Sequence, residues 1–447
     1  MSNAEVLSPA EIPRAGLGRD FYLIWVGQAI SMLGTQLTGF AFSVWTARAM
    51  QDYALYILVA TLPALVLLPW TGGIADRYDR KKILLLCELS AMVCMALLAL
   101  LAWRHALALW HVYSIQLVLS AGAAFQGPAA RATIVSILPK EQLGRAGGLF
   151  GLTSALTQFG GPILASGLLV VIGMRGIVAA DMVSYGFAVL GLFLASIPTI
   201  AQLHAAEGKT GGEETENARK HPFADLMWSI DFLRARPSMA FTYAYTALGG
   251  FLSSMMLFLA TPTVIARYSP TALPWVTSAG AIGMLLGGLL MVAWGGPKKW
   301  SPLLLGFNMF AGLAVMAAGA SPSLVVLCIC ALLVMMCNDT LSASMQSIWQ
   351  RKVPKAAQGR FTAFQQIISI SMLPLSSLVA STLYSTVEPA FRVGGSMAGL
   401  SSHLGTGAGG TYNFLFCLVG LASVVVSLLA LAQRRLYRLE EEVPDAF

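Results

Sequence analysis

Ionisable side chains inside long apolar runs are the first candidates for chemistry in this chain. A charge in hydrocarbon is costly, so an acid found there has a partner or a task. Four acids qualify. Asp339 lies slightly past the middle of an apolar run, beside Asn338, with no Lys or Arg close in sequence. Such a carboxyl can exchange a proton or meet a cationic ligand; the alternative is an acid satisfied by its own packing. Glu88, Asp181 and Asp20 each have a cation or a run end within reach, and structural pairing is expected for them. For Glu88 the nearby cations are those of the basic loop before it, and for Asp181 the cation is Arg175.

Neutral polar residues add to the candidates. They are Gln28, Ser31, Thr35 and Gln36; Gln116 and Gln126; Tyr243, Tyr245 and Thr246; Asn338 and Gln346; and Gln365 and Gln366. Each is either a contact in a central cavity or a hydrogen bond between helices. No Gly-x-x-x-x-Gly-Lys-Ser/Thr loop is present, so nothing points to nucleotide hydrolysis. The five histidines fall in loops or near run ends without ligating spacing, and no cofactor or metal is expected. An enzyme would need a clustered nucleophile and base within the runs, and none is found.

The elements that carry these residues are membrane helices. Hydrophobic residues make up 57% of the 447-residue chain and charged residues 11%, less than half the usual share for a soluble protein. Twelve spans are expected, at 21–47, 53–75, 82–103, 109–130, 146–172, 176–198, 238–264, 272–295, 302–320, 323–347, 362–386 and 411–433. No removable leader is expected ahead of the first, and the six cysteines inside the runs read as small buried hydrophobes. The cations test the count. With both termini in the cytoplasm, 23 of the 28 Lys and Arg fall on the inner side. Only Arg48, Arg104, Arg175, Arg267 and Arg392 fall outside. The positive charge is thus a topology signal spread over short loops, and a nucleic-acid partner is not expected.

The chain divides into an inner segment 1–20, a six-span half 21–198, a linker 199–237, a second half 238–433 and a tail 434–447. In the linker, Phe223, Met227, Ile230 and Leu233 recur at helical spacing and predict an amphipathic helix on the inner surface. The halves carry a faint repeat. Pro139-Lys140 with Gly144-Arg145 matches Pro354-Lys355 with Gly359-Arg360, and Arg80-Lys81-Lys82 matches Pro297-Lys298-Lys299. Two parallel six-helix repeats suggest a secondary transporter that rocks about a central site.

Gly72-x-x-x-Asp76-Arg77-x-x-Arg80-Lys81, after the second span, resembles the signature loop of the major facilitator superfamily, with Asp79 where glycine is commonest. The layout is similar to the branch with macrolide-efflux proteins and the enterobactin exporter. Trp25-Val26-Gly27-Gln28, Leu138-Pro139-Lys140-Glu141-Gln142-Leu143-Gly144-Arg145 and Glu388-Pro389-Ala390-Phe391-Arg392-Val393-Gly394-Gly395 carry that likeness. The resemblance implies an all-α fold of twelve helices in two pseudo-symmetric halves, working as a monomer in the cell membrane. It also implies that spans one, four, seven and ten line the path.

Gly72 and Asp76 then read as a latch against the start of span eleven, with Arg77 and Arg80 bridging to Glu88 or Glu141. The plainer alternative is a positive anchor, which suffices for Lys81 and Lys82. Gly148 and Gly161-Pro162 in span five are similar to a glycine-rich exporter motif, although Thr157, Ala165 and Ser166 stand where glycines are expected. Ordinary small-residue packing is the alternative there. The expected activity is proton-driven export of an amphipathic organic compound such as a drug, a macrolide-like antibiotic or a siderophore. A lysolipid flippase or an importer of a small metabolite is the alternative.

Overall fold

Backbone amides that face hydrocarbon have to bond within their own segment, so long apolar runs fold as helices. The computed structural model describes residues 17–139, 142–198, 222–294, 300–354, 357–392 and 403–433. The first half consists of α1 (Arg19–Thr46), α2 (Met50–Arg77), α3 (Arg80–Trp103), α4 (Leu109–Ile137), α5 (Leu143–Val171) and α6 (Gly173–Leu194). A short linker helix, α7 (Pro222–Arg234), follows. The second half consists of α8 (Pro237–Arg267), α9 (Leu273–Trp294), α10 (Trp300–Ala320), α11 (Leu324–Lys352), α12 (Gln358–Val387) and α13 (Gly407–Leu431).

Among the described residues, nine helices are long and apolar enough to cross a membrane, and α5 makes ten if its bent pieces count as one span. α1 and α4 fall short in apolarity, not in length, for they have 28 and 29 residues. They carry Gln28, Ser31, Thr35 and Gln36, and Gln116, Gln126 and Arg131. The 40° bend in α5 separates Arg145–Gln158 from Gly160–Val171. Pro162 causes it: the ring has no N–H to donate and crowds the carbonyl four residues back, at Gln158.

Within the first half, α1 packs on α5 and α6, α2 on α4, and α3 on α4 and α6. Within the second, α8 packs on α12 and α13, α9 on α11, and α10 on α11 and α13. Advancing each helix of the first set by seven turns it into the second, so the repeat seen in two loops extends through the packing. The joins between halves obey the same exchange: α2 packs on α12 and α5 on α9. Glycine permits some of the closest approaches. A Cβ added at Gly27 would stand 2.9 Å from the carbonyl oxygen of Phe187, where α1 meets α6.

The buried apolar residues show where the halves meet. At the end that carries Arg48, one cluster runs through both halves. There Tyr53 of α2 stacks on Phe258 of α8, with centroids 4.9 Å apart and planes inclined by 16°. At the end that carries Lys81 the clusters stay within one half. Trp349, Phe361 and Phe364 of the second half cluster with Phe232 of the linker helix, while Ile24, Leu84 and Leu192 belong to the first half, as do Phe21 and Leu138. Among the described residues, apolar packing joins the halves at the Arg48 end and stays within each half at the Lys81 end, the parted end.

Helix α7 docks on α12 at the parted end. Phe232 and Leu233 are buried, whereas Met227 is 51% exposed, so the buried face lies to one side of the stripe expected from spacing. The Phe232 ring bridges Trp228, Phe361 and the guanidinium of Arg236, and this clamp sets the face.

Candidate functional site

The parted end opens into a cavity of about 550 Å³ between α8, α10, α11 and α12. Tyr243, Asn338, Gln346 and Gln365 line it, as do Thr246 and Gln366. Among the described residues, no charged side chain lines it. Asn338 Oδ1 accepts from Ser253 Oγ at 3.1 Å, which ties α11 to α8 and leaves the amide group for a ligand. Tyr243 sits among Trp349, Phe361 and Phe364, with centroids 5.2–6.0 Å away. Of these rings Tyr243 and Trp349 line the cavity, beside a row of amides and hydroxyls, with Phe361 and Phe364 packed behind them. The cavity suits a molecule with an apolar body and several hydrogen-bonding groups.

Tyr245 has a different place. It is 5% exposed, two residues and so about 200° round α8 from Tyr243. Its hydroxyl accepts from Asn308 Nδ2 at 3.0 Å and meets Ser427 Oγ at 3.2 Å, pinning α8 to α10 and α13. Asn308 and Trp349 also line the cavity, and the sequence reading missed both. The signal for Asn308 was an amide in an otherwise apolar span.

Asp339 does not line that cavity. One residue turns a helix by about 100°, so with Asn338 on the cavity Asp339 lies against α9. A Cβ built on Gly288 would be 3.5 Å from Asp339 Oδ2.

The first half contains a second polar centre. Glu88 is 0% exposed. Its Oε1 accepts from Gln28 Nε2 at 2.7 Å and also from Gln126 Nε2. Gln126 Nε2 stands 3.2 Å from Gln28 Oε1, which closes a ring over α1, α3 and α4. Glu88 Oε2 is buried with no hydrogen-bond partner. Among the described residues no cation joins this ring: Arg80 Nη1 instead donates to the carbonyl of Ala132 at 3.1 Å, and the side chain of Arg77 lies outside the described residues. Eight residues separate Arg80 from Glu88, about 12 Å along a helix, too far for a direct bridge. Glu141 lies outside the described residues.

Asp181 is 1% exposed and accepts from Ser184 Oγ at 3.1 Å. Its expected partner, Arg175, turns away to His105. Gly34 makes room for the acid on the α1 side, since a Cβ there would reach within 2.6 Å of Asp181 Oδ1. One turn further, Thr35 Oγ1 bonds Tyr185 Oη at 3.0 Å. Gln36 meets α5, where a Cβ on Gly161 would come within 3.1 Å of its Cβ. Gly161 thus allows α5 to approach α1 just before the Pro162 bend, whereas Gly148 has open space around it.

The basic loop laces the first half together. Asp79 caps α3 by accepting from the backbone N–H of Lys81 at 3.1 Å, which accounts for an acid at the usual glycine position. Lys81 Nζ donates to the carbonyls of Phe193 and Ala195 at 3.2 and 2.7 Å, so it caps the far end of α6. The side chains of Gly72, Asp76 and Arg77 lie outside the described residues, as does Lys140.

Comparison with known proteins agrees with this architecture. The chain is 26% identical to macrolide efflux protein A of Streptococcus pyogenes over 383 residues, covering 81% of this chain and 90% of that protein. It is 28% identical to the enterobactin exporter of Citrobacter koseri over 214 residues, about half of each chain. Among solved structures, a bacterial homologue of the human lysosomal transporter Spinster, inward-facing and unoccupied, superposes with a TM-score of 0.65 at 15% identity. That match covers 94% of this chain and 98% of the other. A bacterial homologue of the iron transporter ferroportin, also inward-facing, gives 0.59 at 16% identity, covering 93% and 99%. The model of the Major Facilitator Superfamily matches residues 24–377, and the chain belongs to that superfamily.

Proposed function

We propose that this protein is a secondary exporter that moves an amphipathic organic compound out of the cell by alternating access, in exchange for protons. The observation that carries the reading is the cavity at the parted end, with aromatic walls and uncharged hydrogen-bonding groups. In this reading α1–α6 and α8–α13 are twelve spans with both termini in the cytoplasm, because 23 of 28 Lys and Arg then lie inside. The parted end faces the cytoplasm and admits substrate, and the Tyr53–Phe258 seal closes the outer side. Rocking the halves about α2–α12 and α5–α9 opens that seal and joins the inner clusters. Gly72, Asp76 and Arg77 would latch the joined inner ends.

Glu88 and Asp339 are the two candidates for the proton. Glu88 has the stronger claim, because it is fully buried and, among the described residues, meets no cation and keeps one oxygen unpartnered. The relatives' names support export over uptake, and macrolides are the first compounds to try. Uptake of a small hydrogen-bonding metabolite is the second reading, favoured by the amides along the cavity wall.

The test uses everted membrane vesicles whose interior is made acidic. Labelled erythromycin should accumulate inside them, and collapse of the pH gradient should release it. Accumulation that ignores the gradient would remove proton exchange from the proposal. Failure across macrolides, siderophores and cationic dyes, with uptake of a metabolite by intact cells instead, would replace export with import.

A further inference from the structure

We propose that the outer end of the first half holds a binding site for the phosphate headgroup of an anionic phospholipid. Only five Lys or Arg are expected on the outer side, and two are already satisfied. Arg267 donates to the carbonyls of Ala318 and Ser321, and Arg392 pairs with Glu388 at 2.8 Å. Two of the other three, Arg48 and Arg175, reach one cavity of about 390 Å³ together with His105. Arg48 comes from the α1–α2 connection, His105 from the α3–α4 connection and Arg175 from the first turn of α6. Among the described residues, no acid lines the cavity.

Within it, Arg175 Nη2 stands 2.8 Å from His105 Nδ1, so two basic side chains touch with no carboxylate between them. His105 is the one non-glycine among the described residues with positive φ, at 56°. That conformation ends α3: the N–H groups of His105 and Ala106 cap the carbonyls of Ala102 and Leu101, and the turn brings the imidazole to the cavity. The remaining wall is apolar, with Trp45, Leu107 and Leu169 among its residues.

Two guanidinium groups match the oxygens of a phosphodiester, which they can bond in pairs. The apolar wall below suits the glycerol and the first methylenes of an acyl chain. A tryptophan at this depth belongs to the interfacial belt where headgroups lie. A free phosphate would use the same guanidinium groups but gain nothing from the apolar wall. The proposal is independent of the transported compound and of the coupling ion.

The experiment uses the full-length protein in detergent, titrated with dioleoylphosphatidylglycerol or dioleoylphosphatidylcholine. Unfolding temperature and bound lipid, the latter by native mass spectrometry, are the readouts. The anionic lipid should raise the wild-type unfolding temperature by roughly 5 °C more than the zwitterionic lipid. The double variant Arg48→Gln/Arg175→Gln should lose that difference and bind phosphatidylglycerol at least about tenfold more weakly, consistent with loss of charge-assisted bonds. Arg392→Gln, at the same end but outside the cavity, should keep it and so serves as the control for folding and overall charge. Equal effects of the two lipids, or a preference that survives the double variant, would overturn the site. A shift of the same size from inorganic phosphate alone would show a free-anion site and overturn the lipid assignment.

Discussion

Replacing Glu88 with glutamine is the sharpest test of how transport is driven. The substitution keeps the size of the side chain and a carbonyl oxygen that can go on accepting from Gln28 and Gln126. Folding should therefore change little, while the exchangeable proton is lost. The size of the effect follows from the driving force. One charge crossing 100 mV releases about 2.3 kcal/mol. At 1.36 kcal/mol per decade, one proton per cycle sustains a substrate gradient of about 50-fold. In everted vesicles Glu88→Gln should reduce that gradient to about onefold, while exchange of labelled for unlabelled erythromycin across the membrane continues. Glu88→Ala separates folding from coupling. It leaves the buried Gln28 amide without its acceptor, whereas the part-buried Gln126 amide keeps Gln28 Oε1, and should cost about 1–3 kcal/mol of stability, the penalty for one orphaned group. Asp339→Asn, against the glycines of α9, should preserve most of the gradient. If Glu88→Gln still concentrates erythromycin against its gradient while Asp339→Asn does not, the proton belongs to α11 and the assignment to Glu88 fails.

Three further outcomes test other parts of the molecule. Lys81→Ala should destabilise the first half by about 1 kcal/mol, since two carbonyls at the end of α6 lose their charged donor; thermal unfolding would show it. Tyr53→Ala should weaken the outer seal by about 3 kcal/mol or more, as expected for removing a buried aromatic. Impermeant thiol reagents added from outside should then label a cysteine placed at Gln346, which the wild-type seal protects. Asn338→Ala should raise the apparent KM for a hydrogen-bonding substrate about 5–10-fold with little loss of folding, because the amide faces the cavity. Unchanged transport kinetics in that variant would place the substrate elsewhere.

The architecture was legible in the sequence because its signals are long-range in composition. Runs of apolar residues, the one-sided distribution of cations and the loop at Gly72–Lys81 each integrate over many positions. The site was only partly legible, because membership of a helix does not fix direction. Tyr243 and Tyr245 read alike as tyrosines of one span, yet one stands on the cavity and the other is locked behind it by Asn308 and Ser427. Asn338 and Asp339 are neighbours with different surroundings for the same reason.

Glu88 shows the converse error. Its nearness in sequence to the basic loop suggested a cation, but along a helix eight residues are about 12 Å. The usable signal lay on other helices. Gln28 and Gln126 are amides deep in spans one and four, and an acid deep in span three can be met by both. Depth in the membrane, compared across spans, predicts such a ring better than distance along the chain. That argument also divides the labour between the halves. The first half holds the buried acid with its amide ring, and the second holds the uncharged cavity. A proton and a substrate bound in different halves need not compete for one side chain. In the proposed exchange their coupling would run through α2 on α12 and α5 on α9, the helix pairs that join the halves.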